Sequence, residues 1–166
     1  MAAGRGGPGL ILLGGSTASG KSALALALAE ATDGMVVNAD SQQLFRDLPT
    51  LTARPGPKDE AAAPHRLYGV LGPDEQPSVA RWLGLVEPVL AELTAEGRPA
   101  IVTGGSGLYL HALLHGLPDL PDIPDAVRGP LRAAAEHEPA EALHAHLVAL
   151  APVMAARLRP SDRQRL

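Results

Sequence analysis

The sequence predicts an α/β fold, a parallel sheet flanked by helices with a small helical lobe attached, and three observations predict it. An apolar run, a glycine-bearing loop, a helix and a second strand follow one another between Leu10 and Asn38. Another strand, glycine-rich turn and helix recur between Ala100 and Leu114. After a stretch in which Pro118, Pro121, Pro124 and Pro130 are interleaved with Asp119, Asp122 and Asp125, the chain turns Ala-rich and shows no strand signal. Its 166 residues suffice for one domain with a sizeable core plus an appendage.

Each element has its own warrant. Leu10 to Leu13 is a short apolar run ended by Gly14-Gly15, which reads as a strand buried on both faces. Ser22 to Thr32, rich in Ala and Leu, reads as a helix closed by Asp33-Gly34, and Met35 to Asn38 as the next strand. Leu67 to Leu71 reads as a third strand, with Gly69 and Gly72 counting against it. Ser78 is placed to cap a helix reaching Glu96, because Val79, Trp82, Leu83, Val86, Leu90 and Leu93 recur at helical spacing; Pro88 is expected to bend it. Ala100 to Thr103 is the following strand and Leu108 to Leu114 the following helix. Leu131 to Leu158, apolar at helical spacing, predicts the lobe. The expected division is residues 9–117 for the first half of the core, 118–160 for the helical insertion and 161–166 for the start of a return to the core.

Composition excludes several classes. Hydrophobic residues make up 46% and charged residues 19%, ordinary values for a globular chain. Aromatic residues are 2%, too few to build a base-stacking platform. The formal net charge of -4 argues against general coating of polyanions, though a local basic patch is compatible with it. Cysteine is absent, which removes disulfides and thiolate metal sites. No apolar run approaches the roughly 18 residues that a membrane span needs. The expected compartment is the cytoplasm.

The strongest motif is Gly15-Ser16-Thr17-Ala18-Ser19-Gly20-Lys21-Ser22, a P-loop set between a strand and a helix. Successive backbone N–H groups in such a loop wrap phosphate oxygens, and the helix start adds its partial positive charge. Lys21 would bridge two phosphates, and Ser22 would hold Mg2+ through its hydroxyl. Lys21 is one of two lysines beside twelve arginines. The competing reading, a flexible Gly/Ser loop, does not need both flanks. Asn38-Ala39-Asp40-Ser41-Gln42-Gln43 ends the second strand, where open parallel sheets place their ligands, so Asp40 would face whatever the loop holds. Asp40 as the cap of a helix over Ser41 to Leu48 explains the same residues equally well. Gly104-Gly105-Ser106-Gly107 reads either as a strand-to-helix turn or as a place where a substrate meets the backbone closely.

Taken together, these signals resemble the tRNA dimethylallyltransferase family. The resemblance rests on Thr17-Ala18-Ser19-Gly20-Lys21-Ser22, Asp40-Ser41-x-Gln43, Thr52-Ala53-Arg54-Pro55, Pro64-His65-x-Leu67, Ser78-Val79-Ala80 and Gly104-Gly105-Ser106-Gly107-Leu108-Tyr109-Leu110. It continues to Arg157-Leu158-x-Pro160-x-Asp162-x-Gln164-Arg165 and covers nearly the whole chain. It implies a P-loop nucleotide-hydrolase-like core whose loop, Gly15 to Ser22, holds the diphosphate of dimethylallyl diphosphate with Mg2+ at Ser22. It implies that Asp40 is the base for the exocyclic amine of an adenosine beside the tRNA anticodon. Lys21, Thr17 and Ser106 would stabilise the leaving group or fix the amine. Contacts to tRNA are implied for Asp40, Ser41, Gln42, Gln43, Ser106, Arg128 and Gln164, with residues 118–160 as a tRNA-contacting insertion. The complete enzyme is expected to be a monomer.

The sequence departs from the family's usual pattern at Ser16 for Pro, Ser106 for Thr, Arg54 for Lys and Arg66 for a second His. Ser106 keeps the hydroxyl and Arg54 the charge. The family's Asp-x-Gln-Arg segment opens a helix that continues into the second half of the core, so the chain reads as an N-terminal part of such an enzyme. An ATP-dependent P-loop kinase fits the loop alone, and a diphosphate-binding module without full activity fits the length. Transfer to free adenosine phosphates is a neighbouring chemistry, against which the helical appendage counts. Of His137, His144 and His146, the last two are two residues apart on a predicted helix and point in different directions, so the group reads as solvated surface; His65 reads as a loop residue, which the resemblance implies lines the cleft. Arg157, Arg159, Arg163 and Arg165 form a locally basic tail that by itself reads as a solvated face, and for which the resemblance implies phosphate-backbone contact.

Overall fold

A computed structural model describes residues 9–118, 123–163 and 165. Four parallel strands form one sheet in the order β1-β4-β2-β3: β1 Leu10–Gly14, β2 Met35–Asn38, β3 His65–Arg66 and β4 Ala100–Gly104. Around them run α1 Lys21–Thr32, α2 Pro57–Ala62, α3 Val79–Glu96 and α4 Gly107–His115. The central pair, β2 and β4, is buried at every residue and is continuously apolar apart from Asn38, Thr103 and Gly104, as strands covered on both faces must be. Register aligns Asn38 with Thr103, and Gly14 with Gly104 on the other side. The carboxyl ends of three strands therefore finish level, and the loops that follow them crowd one edge of the sheet.

Two apolar clusters cover the sheet. Trp82, Val86, Val89 and Leu93 form the buried stripe of α3, packed with Val37, Val102 and Tyr109 in the larger cluster. Ala25 and Ala29 of α1 sit in the smaller one with Val36 and Ile101. Small residues let α1 lie close to the strands, and Gly34 is small for a related reason. A Cβ there would fall 2.5 Å from Ile101 Cδ1 and 2.9 Å from the Pro99 carbonyl oxygen. Asp33, at φ 50°, is the left-handed residue that ends α1, its N–H returning to the Ala29 carbonyl. Ser78 caps α3 as its spacing predicts, its hydroxyl accepting the Arg81 N–H at 3.1 Å.

Three expectations need correction. β1 lies at an edge of the sheet and is half-buried to exposed, with Leu10 47% exposed, so it is not covered on both faces. Leu67 to Leu71 is not a sheet strand: pairing stops at Arg66, Leu67 and Gly69 take φ 64° and 61°, and Leu71 makes a lone parallel bridge to Phe45. A helix over Ser41 to Leu48 shrinks to a 3-10 turn at Gln42–Leu44, ended by the extended backbone of Phe45 that makes this bridge.

The chain divides into two compact units, Met1–Pro118 and Asp119–Leu166. In the second, the helices are α5 Asp125–His137, α6 Ala140–Leu150 and α7 Pro152–Ala155, the first beginning six residues before the Leu131 expected for the lobe. Neither α5 nor α6 buries a residue among those described, whereas Ala155 of α7 is buried. His144 Nε2 lies 3.1 Å from the Ala155 carbonyl, so that histidine is a tether rather than solvated surface. Arg163 donates to the carbonyls of Glu138 and Ala135, and Arg165 lies 3.5 Å from Asp162. Part of the basic tail is thereby spent inside the unit. No described helix is long and apolar enough to cross a membrane.

Candidate active site

The loop between β1 and α1 is built to leave donors free. Ala18 and Gly20 take φ 61° and 85°, left-handed turns that Ala tolerates poorly and Gly well. Residues Gly15 to Gly20 are exposed, and no side chain caps α1. The first N–H groups of a 12-residue helix thus face outward with its positive dipole end, in a first turn that holds no acidic residue. Lys21 Nζ lies within reach of the Ser16 carbonyl and 3.4 Å from Ser19 Oγ, curled back along the loop it would serve.

Opposite the loop, the ends of β2 and β4 are locked together. Ala39 donates its N–H to the Thr103 carbonyl at 2.8 Å, and Ser106 donates its N–H to Ala39 at 3.3 Å. A Cβ on Gly104 would come within 2.1 Å of the Ala39 carbonyl carbon and oxygen, so glycine is required where the two chain segments cross. The close approach at Gly104 is therefore made by the protein's own backbone. Ser106 Oγ accepts the Ser41 N–H at 2.9 Å and retains its own proton for another acceptor.

Asp40 stands between these segments. Its Oδ1 accepts the Gln42 N–H at 2.9 Å, a bond to the first residue of the short 3-10 turn, whose N-cap is Ser41 and not Asp40. Its Oδ2 points over Gly105, 3.1 Å from where a Cβ would stand. One oxygen of the carboxylate is thus held locally by the chain and the other borders the cleft. The cleft enclosed by Lys21, Ser22, Asp40, Gln43, Thr103 and Gly105 measures about 490 Å³. A smaller cavity of about 220 Å³ adjoins it, with Ser22, Ala23 and Tyr68 in both linings.

Sequence reasoning missed two residues. Asn38, fully buried, clamps Asp40 from both sides: its Oδ1 accepts the Asp40 N–H at 2.8 Å and its Nδ2 donates to the Asp40 carbonyl at 3.0 Å. The same Nδ2 reaches the Leu67 carbonyl at 3.0 Å, and Trp82 Nε1 donates to the Asn38 carbonyl at 2.8 Å. An Asn at the end of an otherwise apolar strand was the available signal. Tyr68, projecting into both cavities, had none, because it lay inside the segment read as a strand. Burial above all, then the negative charge of Asp40, push the Tyr68 hydroxyl far above its ordinary pKa, with Arg54 opposing.

Other predicted residues divide clearly. Gln43 enters the cleft lining, yet its Nε2 is committed to the Thr52 and Ala53 carbonyls at 2.9 and 3.2 Å, bracing that loop. His65 is a β3 residue rather than a loop residue, its Nδ1 2.8 Å from the Ala63 carbonyl, and it lines the smaller cavity. Arg128 is exposed on α5, in the second unit. Gln164 lies outside the described residues.

The sequence model for IPP transferase matches residues 43–166, well over half the chain. The chain belongs to the IPP transferase family. Among its relatives, a tRNA dimethylallyltransferase of Azorhizobium caulinodans is 52% identical over 159 residues, which is 96% of this chain and 51% of that protein. One from Methylobacterium sp. (strain 4-46) is 54% identical over 156 residues, 94% of this chain and 51% of the relative. This IPP transferase chain thus spans about half the length of the curated relatives it matches. The structure of a tRNA isopentenylpyrophosphate transferase from Bacillus halodurans superposes with a TM-score of 0.65 at 32% identity, covering 95% of this chain and 52% of that one. A eukaryotic dimethylallyltransferase acting on tRNA gives 0.78 at 25% identity, covering 95% and 39%. The parallel four-stranded sheet is that of these transferases, with its P-loop nucleotide-hydrolase-like core. The family model's match begins at residue 43, past the loop at Gly15 to Ser22, which the 96% coverage by the Azorhizobium relative takes in.

Proposed function

We propose that this chain takes part in transferring a dimethylallyl group from dimethylallyl diphosphate to the exocyclic amine of an adenosine next to the anticodon of tRNA, in the cytoplasm. The observation that carries the reading is the meeting of an uncapped P-loop helix with the Asp40 carboxylate and the Ser106 hydroxyl turn at one end of the sheet. In the reaction the amine nitrogen bonds to C1 of the dimethylallyl group while the C1–O bond breaks, its electron pair leaving on the diphosphate. Backbone N–H groups of Gly15 to Ser22 and the Lys21 ammonium hold that leaving group, where preorganised donors are most effective. Thr17 adds a hydroxyl. Asp40 Oδ2 takes the amine proton, while Oδ1 keeps the carboxylate oriented through the Gln42 N–H. Ser106, anchored by the Ser41 N–H, offers its proton to substrate. Ser41, Gln42 and Gln43 line the approach of an extruded base. Arg128 and Gln164 meet the tRNA backbone.

The donor set also suits Mg2+. Ser22, Thr103 and Asp40 bring hard oxygen donors to one cleft, and the described residues contain no cluster of three or more His, Cys, Asp or Glu that would favour a different ion. Magnesium is commonly held by one or two protein oxygens, water and the phosphates of its substrate. Ser22 is the residue to hold it, and when bound the ion neutralises charge on the departing diphosphate. The test is incubation with dimethylallyl diphosphate labelled in its prenyl group, with tRNA, AMP or ATP as the second substrate. Label appearing on tRNA supports the proposal. Transfer of the ATP γ-phosphate without prenyl transfer, or label on AMP and not on tRNA, overturns it.

A further inference from the structure

We infer that the Tyr68 hydroxyl is a ligand-facing hydrogen-bond donor, set to bind an oxygen of the diphosphate at the junction of the two cavities. The inference rests on the diphosphate reading of the loop and adds to it a residue that no motif marks.

Geometry carries it. Tyr68 and Ser22, with Ala23, Ala53 and Thr103, line both the larger cleft and the smaller cavity, so the two residues border the same junction. The backbone on either side of Tyr68 is sharply turned: Leu67 has φ 64° and Gly69 φ 61°. Glycine adopts that region freely, whereas leucine does so at a cost and only where its surroundings hold it. Three side chains or carbonyls hold it here. Asn38 donates to the Leu67 carbonyl at 3.0 Å, Gly69 donates its N–H to the Gln43 carbonyl at 3.0 Å, and Arg54 lies across Gly69 so closely that a Cβ would meet its Nη1 at 2.2 Å. Asn38 and Gln43 flank Asp40, so the same braces fix the carboxylate and the phenol relative to each other. Residues that keep a strained turn in place are expected where a side chain must point one way.

The ring's setting fits a donor. His65 meets the Tyr68 ring edge-on, with centroids 5.6 Å apart, which steadies the ring and leaves its polar tip for the cavity. Burial and the charges of Asp40 and Arg54 act on the hydroxyl, whereas no hydrogen bond from the described residues does. A phenol so placed keeps its proton through the neutral range and can donate to an anion without adding charge of its own. Hydrogen bonds to charged groups contribute about 1.5–3 kcal/mol, roughly twice a neutral pair, which is about 10- to 150-fold in affinity.

The experiment is calorimetry of pyrophosphate with Mg2+ against wild type and Tyr68→Phe, with thermal midpoints measured alongside. The Phe variant keeps the ring and its packing on His65, so its midpoint should stay close to wild type. Pyrophosphate affinity is expected to fall about 10-fold or more, the lower end of that hydrogen-bond range. Equal affinity in the two proteins at an unchanged midpoint overturns the role of Tyr68 and leaves the diphosphate reading standing. Absence of pyrophosphate binding by wild type overturns both. If the midpoint of Tyr68→Phe falls, Tyr68→Gln, which restores a polar donor without the ring, decides: affinity recovering toward wild type supports the donor role, and affinity as low as in Phe contradicts it.

Discussion

Asp40 divides its carboxylate between the chain and the cleft. Its Oδ1 accepts the Gln42 N–H while its Oδ2 lies over Gly105 at the cleft, so the local bond and the proposed proton transfer use different oxygens. Asp40→Asn separates them. The amide oxygen can still accept from Gln42, so the folded structure and pyrophosphate affinity should hold. It cannot take a proton, so single-turnover prenyl transfer should drop by roughly 10²- to 10⁴-fold. The comparison belongs in a protein whose unmutated form transfers measurably, and an unchanged rate would leave Asp40 with the local bond alone. Asn38 explains why that carboxylate needs no further support, gripping both the N–H and the carbonyl of Asp40 from a fully buried position.

At the scale of elements, local signals were legible where each was complete in its own segment. The P-loop, the Ser78 cap, the α3 stripe and the apolar strands β2 and β4 depend on neighbours a few residues away. What the sequence hid depends on distant partners. β1 has the composition of a central strand, yet it stands at an edge, which no window of residues can reveal. Leu67 to Leu71 has strand-like residues, but Asn38 and Gln43 hold its backbone in a turn that sheet pairing forbids. Gly104 to Gly107 reads equally as a strand-to-helix turn or as room for a substrate, and Gly104 proves to be where β4 crosses the backbone of Ala39. That crossing yields a sharp expectation. Gly104→Ala places a Cβ 2.1 Å from the Ala39 carbonyl carbon, with backbone and not a flexible side chain to yield. Stability should fall by about 3 kcal/mol, the upper range for overpacking. Urea denaturation would measure it, and a variant as stable as wild type would mean that the β2–β4 crossing is loose.

For the whole molecule, the first unit carries the sheet and both apolar clusters, and the second holds three helices with polar contacts from His144 and Arg163 beside the buried Ala155. The first unit also holds the two tyrosines whose ionisation folding opposes. Burial first and Asp40 second raise the pKa of Tyr109, as they do that of Tyr68. A phenol with a folded pKa above its ordinary 10.0 loses its proton first in the unfolded chain. The stability these groups support is therefore fully present below about pH 10 and is lost as pH rises toward the folded values. Denaturant midpoints between pH 9 and 12 should fall in wild type and fall less in the Tyr68→Phe, Tyr109→Phe double variant. A parallel fall in both would assign alkaline loss to other groups. The central claim is that the Gly15 to Ser22 loop holds a diphosphate belonging to a prenyl donor rather than the phosphates of ATP. Competition calorimetry with Mg2+ tests it most directly: dimethylallyl diphosphate and pyrophosphate should bind at least as well as ATP and displace it, and Lys21→Ala should weaken all three. Tight ATP binding that neither diphosphate displaces would contradict the account.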